Sequence, residues 1–556
     1  MWAAGKRFII TEQMRFISKT ASALCCLVLA SGIVTASAGP AGAKKTRKPP
    51  AASVQHSAIV QAPHGDILPV TASSAEARAL FQAGIVAWET LQTGSALKRW
   101  RMAANIDPAF ALGHLFLSYC TSDPAEAQME RGKANFLARD VTPGEQLLIT
   151  WFNGVRDDQY LSAIPAMNEL VQQYPKDKHI LVWAGSWLFH QRDYELAQKR
   201  LEQAAAIDPD FAAPLNDLGY IYVYQGDYHH ALSVMQHYVE LLPREPNPQD
   251  SYAEILRMAG RYDEALEHYR LALGIDPNFH SSQIGIADTY TLMGQQARAR
   301  REYFNARVLA TDKVTELADV MQSAFTYVRE RDLAGADLAF QGVAQQSRHA
   351  DLSVIEAEAW RMRARLHVIT TSDDLVQTEV ADGGKRLRLF RKTKGIPGAE
   401  LEYLTKAEQA LKNAKAIPES DRQDEYALLW RERAEAAARR GIFAEADAAV
   451  GQLEKMAADS PSAAIQRAFN GAKGAVLLYQ GKYDEAAPLL ELDNDNAFSL
   501  FRSAYAGQKT GKVGVAPARL AAAMAFNEPT AEQALVGPLI ELGGASKEAH
   551  LTAIGR

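Results

Sequence analysis

Prolines stand at Pro175, Pro209, Pro243 and Pro277, each 34 residues after the last, and Ala163, Ala197, Ala231, Ala265 and Ala299 keep the same interval. A fixed period of this size means one supersecondary unit stacked on copies of itself, and it excludes most single-core architectures. The unit that begins at Ala212 shows what is repeated. Leu215, Leu218, Gly219 and Tyr222 form one apolar stripe at helical spacing, and "QGDY" turns the chain at Gly226. Ala231, Leu232, Met235 and Tyr238 form a second stripe, which stops at "LLPREP".

Two antiparallel helices joined so tightly need small residues where they cross. With Ala212 as position 1, position 8 reads Gly84, Gly185, Gly219, Ala253, Ala287, Ala324, Gly474 and Ala504. Position 20 reads Ala96, Ala163, Ala197, Ala231, Ala265, Ala299, Ala336, Ala446, Ala486 and Ala516. A large side chain at either would overpack the pair, at roughly 1–3 kcal/mol.

The 34-residue length, Leu218-Gly219 followed by Tyr222, the central Ala231 and the late Pro243 resemble the tetratricopeptide repeats. The resemblance covers most of the chain, with units starting near Ala77, Gly144, Lys178, Ala212, Pro246, His280, Leu317, Ala427, Arg467 and Ala497. It departs between Ala111 and Pro143, where Glu130 stands in place of the expected alanine, and at Trp151 in place of a small residue. It implies an all-α fold, a right-handed α-solenoid of about ten helix-turn-helix repeats. Into this solenoid a small β-hairpin is expected at 366–398. A chain of 556 residues suits such a fold, which grows by adding units rather than thickening one core.

The ends of the repeat array are of other kinds. Residues 14–38 carry Arg15 and Lys19, an apolar run, and Ala36-Ser37-Ala38 before Gly39, the layout of a secretory signal peptide that starts at Met1 or Met14. Export to the periplasm or outside the cell is expected; the alternative is a membrane anchor formed by residues 21–38. Residues 39–70, rich in Pro and Ala with a basic cluster, read as a flexible linker. With Cys25 and Cys26 in the leader, Cys120 stands alone in the mature chain, and no disulfide framework is expected.

Residues 71–365 and 399–556 form the two repeat blocks on this reading, divided by "LHVITTSDDLVQTEVADGGKRLRLFRKTKGIPG". Its β-branched runs and Asp382-Gly383-Gly384 turn read as the hairpin. Its second arm carries Lys385, Arg386, Arg388 and Arg391, candidates for an anionic-surface contact or simply charges that protect an edge strand.

The inner face of such a solenoid is lined by the first helix of each unit. In the family, positions 2, 5, 9, 12 and 13 tend to face inward, which points here to Phe152, His179, Phe189, His190, Asn216, Tyr220, Tyr224, Glu254 and Arg257 as partner-binding residues. The lysine set of carboxylate-gripping relatives is missing, and aromatic anchors with a polar rim suit a protein or peptide segment. The expected function is therefore an exported, non-catalytic scaffold in assembly or regulation of an envelope complex, with no cofactor and no metal. The alternatives are an enzyme or enzyme subunit with a site where the hairpin meets the solenoid, near Asp373, Asp374 and Arg388, or a surface-tethering module using the basic arm. There is no phosphate-cradling glycine loop, G-x-S-x-G or H-E-x-x-H. The histidines His229, His230 and His237 lack a ligand partner at metal spacing. A net charge of −6 argues against nucleic acid as partner.

Overall fold

The structure, a computed structural model, describes residues 66–511 apart from 122, 158, 371–378, 382–383, 387–398, 415–418, 461 and 494–495, and also residues 534–535. The signal-peptide expectation, most of the linker, Arg388 and Arg391 lie outside the described residues.

Within them the chain is an all-α solenoid of antiparallel helix pairs. In order these are α1 (Ala75–Glu89) with α2 (Thr93–Ile106), α3 (Ala111–Cys120) with α4 (Pro124–Leu137), α5 (Pro143–Arg156) with α6 (Tyr160–Gln173), and α7 (Lys178–His190) with α8 (Tyr194–Ile207). Then come α9 (Ala213–Tyr224) with α10 (Tyr228–Leu241), α11 (Pro246–Met258) with α12 (Tyr262–Ile275), α13 (His280–Leu292) with α14 (Gln296–Leu309), and α15 (Lys313–Arg329) with α16 (Leu333–His349). The C-terminal part continues with α17 (Ser353–Thr370) and α18 (Ala399–Asn413), α19 (Glu419–Arg439) and α20 (Phe443–Asp459), α21 (Ala463–Tyr479) and α22 (Tyr483–Leu492), and α23 (Ala497–Lys509).

Each pair turns in the same way. In the Ala212 unit Gly226 adopts φ 83°, its N–H reaches the Val223 carbonyl at 2.9 Å, and the Asp227 N–H reaches that of Tyr222 at 2.8 Å. This is the left-handed closure that glycine makes at a helix C-terminus. Asp227 then caps α10 by accepting from the His230 N–H. The equivalent position elsewhere is Gly260, Gly294, Gly441, Gly481 or Gly511, whereas Leu91, Arg192 and Arg331 take the same left-handed conformation without being glycine.

Behind the turns, the position-20 alanines from Ala96 to Ala486 are fully buried. The position-8 glycine comes closest not to that alanine but to the residue one turn beyond it. A Cβ on Gly185 would lie 2.6 Å from the Leu201 Cγ, and one on Gly474 2.8 Å from the Leu490 Cγ. In both units the glycine therefore makes room for the large residue one turn beyond the alanine.

The two irregular units solve the same problem differently. Glu130 is buried and pairs with the buried His114 Nδ1 and, at 2.7 Å, with the Lys133 ammonium. A polar bridge there replaces the missing alanine. In α5 the close approach shifts one turn from Trp151 to Gly154, where a Cβ would sit 2.8 Å from the Ala163 Cβ.

Residues 66–74 lace along the ends of these units. The Leu68 N–H donates to Asp177 Oδ2 at 3.0 Å, the Thr71 N–H and hydroxyl both donate to Glu145 at 2.8 and 2.6 Å, and the Ser73 N–H donates to Asp107 Oδ2 at 2.7 Å. The end of the expected linker is thus an ordered strap that binds three units.

The interruption at 371–398 falls between α17 and α18, the two packed helices of one unit, since α17 runs on to Thr370 and α18 begins at Ala399. Glu379–Ala381 (β1) and Gly384–Arg386 (β2) pair antiparallel, Val380 opposite Lys385. Ion pairs tie the helices on either side of the interruption and beyond: Arg361 on α17 donates to Glu425 at 2.7 Å and Arg431 to Asp493 at 2.6 Å, both buried, and Arg502 donates to the part-buried Glu435 at 2.8 Å. Among the described residues no helix is long and apolar enough to cross a membrane.

Candidate functional site

The first helices of the units face one another early in the chain. His179 on α7 holds both carboxylate oxygens of Glu89 on α1 at 2.9 Å from its Nδ1, and the Trp88 and Trp183 rings stand 6.2 Å apart. Three units of chain separate these partners, so the solenoid curls enough to enclose a groove. A cavity of about 360 Å³ results, walled by α1, α3, α5, α7 and α9.

Its walls are aromatic. Trp88, Tyr119, Trp151, Phe152, Trp183 and Trp187 line it. Phe116 braces them from behind, 5.2 Å from both Phe152 and Trp183, and Tyr119 lies 4.9 Å from Phe152. On α7, Trp183 and Trp187 are four residues apart and therefore share a face.

The polar groups on the wall are few. Glu89 is deeply buried, and desolvation raises its pKa in spite of His179. His179, whose own burial works the other way, is raised by its hydrogen bond and charge interaction with Glu89. Asp217 accepts from the Ser186 hydroxyl at 2.5 Å, and burial raises its pKa. His190 keeps an exposed surface at the cavity wall. Protein rings it on its other sides, and desolvation outweighs the nearby Asp217 and lowers its pKa. The indole N–H of Trp187, buried in the wall, has no hydrogen-bond partner among the described residues.

Of the residues expected in the groove, Phe152, His190 and Asn216 line this cavity. His179 lines an adjoining one of about 510 Å³, which the strap residues Ile67, Leu68 and Val70 help to enclose. Phe189 and Tyr224 are placed otherwise. Their rings stack 6.0 Å apart, with Tyr194 5.1 Å from Tyr224, and are buried between α7, α8 and α9. Tyr220 is buried as well and donates to Glu254 Oε2 at 2.6 Å, while Arg257 donates to Glu254 Oε1 at 3.0 Å. Tyr220, Glu254 and Arg257 thus form one hydrogen-bonded chain between α9 and α11.

That chain belongs to a wider ladder between successive first helices. Ser251 donates to Asn216 at 2.8 Å, Ser282 to Asp250 at 2.6 Å, and His280 meets Asp319 at 2.9 Å. Here the apolar core thins into small clusters, and polar contacts set the stacking.

The sequence reading passed over Trp88, Glu89, Trp183, Trp187 and Asp217. Trp88 and Glu89 occupy positions 12 and 13 of the first unit, so the inward-facing pattern already marked them. A second signal was available, since five of the chain's eight tryptophans fall between Trp88 and Trp187.

No group of three or more metal-ligating side chains occurs among the described residues. His229 and His230 are exposed, and Cys120 is buried with its pKa pushed up to about 12 by desolvation. Asp373, Asp374 and Arg388 lie outside the described residues. Lys385 and Arg386 fall in β2.

Helix pairs of this kind, stacked with left-handed turns and small crossing residues, define a helical-repeat protein. The tetratricopeptide repeat family model matches residues 216–278, which run from α9 to just past α12, and the other helix pairs repeat the same build. It is 27% identical over 104 residues to the Cell division cycle protein 27 homolog A of Arabidopsis thaliana. That match takes in 19% of this chain and 14% of the relative's length. Among solved structures it is similar to a tetratricopeptide repeat protein from Parabacteroides merdae, at 16% identity and TM-score 0.31, over 49% of this chain and 93% of that one. It is also similar to YrrB, described as a TPR protein with an unusual peptide-binding site, at 16% identity and TM-score 0.25, over 39% of this chain and 95% of that one.

Proposed function

We propose that this protein is a non-catalytic scaffold that holds a segment of a partner protein in the aromatic cavity walled by α1, α3, α5, α7 and α9. The observation that carries the reading is the cavity itself, with several large rings held rigid against one another and only a few polar groups between them. Rigid aromatic walls bury much area at little entropic cost, and isolated polar groups fix the register of a bound chain. Trp187, half-buried on the wall, offers a bound segment a large apolar surface.

The test is photo-crosslinking in the native cells from Gln191, on the cavity wall, with exposed His229 as control. One partner captured from Gln191 alone, and lost with Trp187→Ala in folded protein, supports the reading. Equal capture from both positions, or capture that survives Trp187→Ala, overturns it.

Export and an envelope complex belong to the same proposal and rest on the sequence of residues 14–40. N-terminal sequencing of the protein from its own cells checks this. A mature end just after Ala38 is expected, and a retained residue 21–38 segment in the membrane fraction would favour the anchor.

A further inference from the structure

We propose that the cavity selects a basic side chain, an arginine of the partner segment, and this rests on the scaffold reading above. The argument is one of charge and ring chemistry together. Four tryptophans line the walls, Trp88 and Trp187 half-buried and Trp151 and Trp183 more deeply set. An indole face carries a negative quadrupole and attracts a cation placed over it, most strongly when water is excluded. Two carboxylates, Glu89 and Asp217, stand among these rings, and none of the described lining residues is Lys or Arg.

The two carboxylates are not equivalent. Glu89 already has its counter-charge in His179, at 2.9 Å from both oxygens. Asp217 has two neutral donors, the Ser186 hydroxyl at 2.5 Å and the Asn216 amide, and its one nearby imidazole, His190, is held toward its neutral form by burial. Asp217 is therefore the group left to meet an incoming charge. Guanidinium fits this wall better than ammonium, because its plane stacks on indole, it is more weakly hydrated, and its fork can still donate to a carboxylate while stacked. A neutral segment of the same shape would fill the cavity but bring Asp217 no cation, leaving it with the neutral Ser186 and Asn216 donors.

The experiment titrates the full chain with acetyl-Ala-Arg-Ala-amide and with the same peptide carrying citrulline, the uncharged isostere. Tryptophan fluorescence is the readout, and choline is a third probe. Saturable quenching by the arginine peptide is expected, with roughly tenfold tighter binding than the citrulline peptide. Asp217→Asn should erase most of that ratio while leaving citrulline binding in place. Trp187→Ala, in protein whose circular dichroism is unchanged, should weaken both. Equal affinity of the two peptides, no binding of either in the millimolar range, or a ratio that survives Asp217→Asn overturns the proposal. Choline binding tighter than the arginine peptide overturns it in favour of a free small cation. Partner capture from Gln191 in cells is a separate measurement, so a scaffold without arginine selectivity would be told apart from a failed scaffold.

Discussion

His179 and Glu89 join α7 to α1 across 90 positions of sequence, and they do so where the aromatic cavity meets the one beneath the strap. The Glu89 side chain is almost fully buried, whereas that of His179 keeps 30% of its surface in solvent. Removing the histidine would strand a buried carboxylate, which costs more than the pair contributes when intact. His179→Ala is expected to destabilise the N-terminal units by about 2–3 kcal/mol. Glu89→Gln, which removes the charge needing a partner, should cost markedly less. Chemical denaturation followed by tryptophan fluorescence compares them, and a larger cost for Glu89→Gln would contradict this account.

Gly84 and Gly219 occupy the same position in their units but face different neighbours. A Cβ on Gly84 would run into the Trp100 ring, 2.6 Å from its Cδ1, and that rigid indole also donates to the Phe81 carbonyl at 3.1 Å. A Cβ on Gly219 would meet the terminal methyl of Met235, the far end of a flexible side chain. Gly84→Ala is expected to cost about 2 kcal/mol and Gly219→Ala less than about 1 kcal/mol, helped by alanine's better helix propensity. Denaturation midpoints of the two variants decide it. A Gly219 variant as damaged as the Gly84 variant would show that Met235 cannot move.

The repeat was legible because helix crossings constrain sequence locally: Gly219, Ala231 and Pro243 each answer to neighbours within their own unit. The site was legible only in part. Phe152, His190 and Asn216 follow from the inward-facing positions of single helices. Tyr220, Phe189 and Tyr224 follow from the same positions but are claimed by packing between units, Tyr220 through Glu254 on α11, and Tyr224 through Phe189 on α7 and Tyr194 on α8. Which inward ring stays open depends on how far the solenoid curls, and that is set by long-range contacts such as Trp88 with Trp183. The strap is of the same kind: nothing local in residues 66–72 foretells that Leu68 and Thr71 bind to Asp177 and Glu145.

Arg331 offers a gain in stability. It closes the turn between α15 and α16 with φ 66°, the role glycine fills at Gly226 and Gly260, and its side chain is exposed. A non-glycine residue held in this conformation costs about 1 kcal/mol relative to glycine. Arg331→Gly should therefore raise the stability of this region by up to about 0.5 kcal/mol, after allowance for glycine's freer unfolded state. Native-state hydrogen exchange of the α15 and α16 amides reads this locally, and slower exchange is the expected result. Unchanged or faster exchange would mean that the turn carries no such strain.

The polar ladder predicts how stability responds to pH. Asp250 is buried with its pKa pushed up to about 7, chiefly by desolvation and further by Glu254, against the Ser282 hydroxyl and the Arg257 charge. Asp288 is raised to about 6, again chiefly by desolvation, against Arg257 and the Tyr303 hydroxyl. Both carboxyls hold a proton in the folded chain that they release in the unfolded one once the pH passes the ordinary value near 4. Over that window the folded state binds more protons, so stability declines as pH rises, by up to about 1.4 kcal/mol per pH unit for each group. The decline should end once pH passes the folded values. Asp250→Asn keeps an acceptor for Ser282 and cannot ionise, so it should remove the upper part of the slope, between about pH 6 and 7. Urea midpoints at a series of pH values, for wild type and Asp250→Asn, measure the difference. A wild-type protein that gains stability across this range, or a variant with the same slope, would show that Asp250 is ionised in the folded chain and held by Arg257 instead.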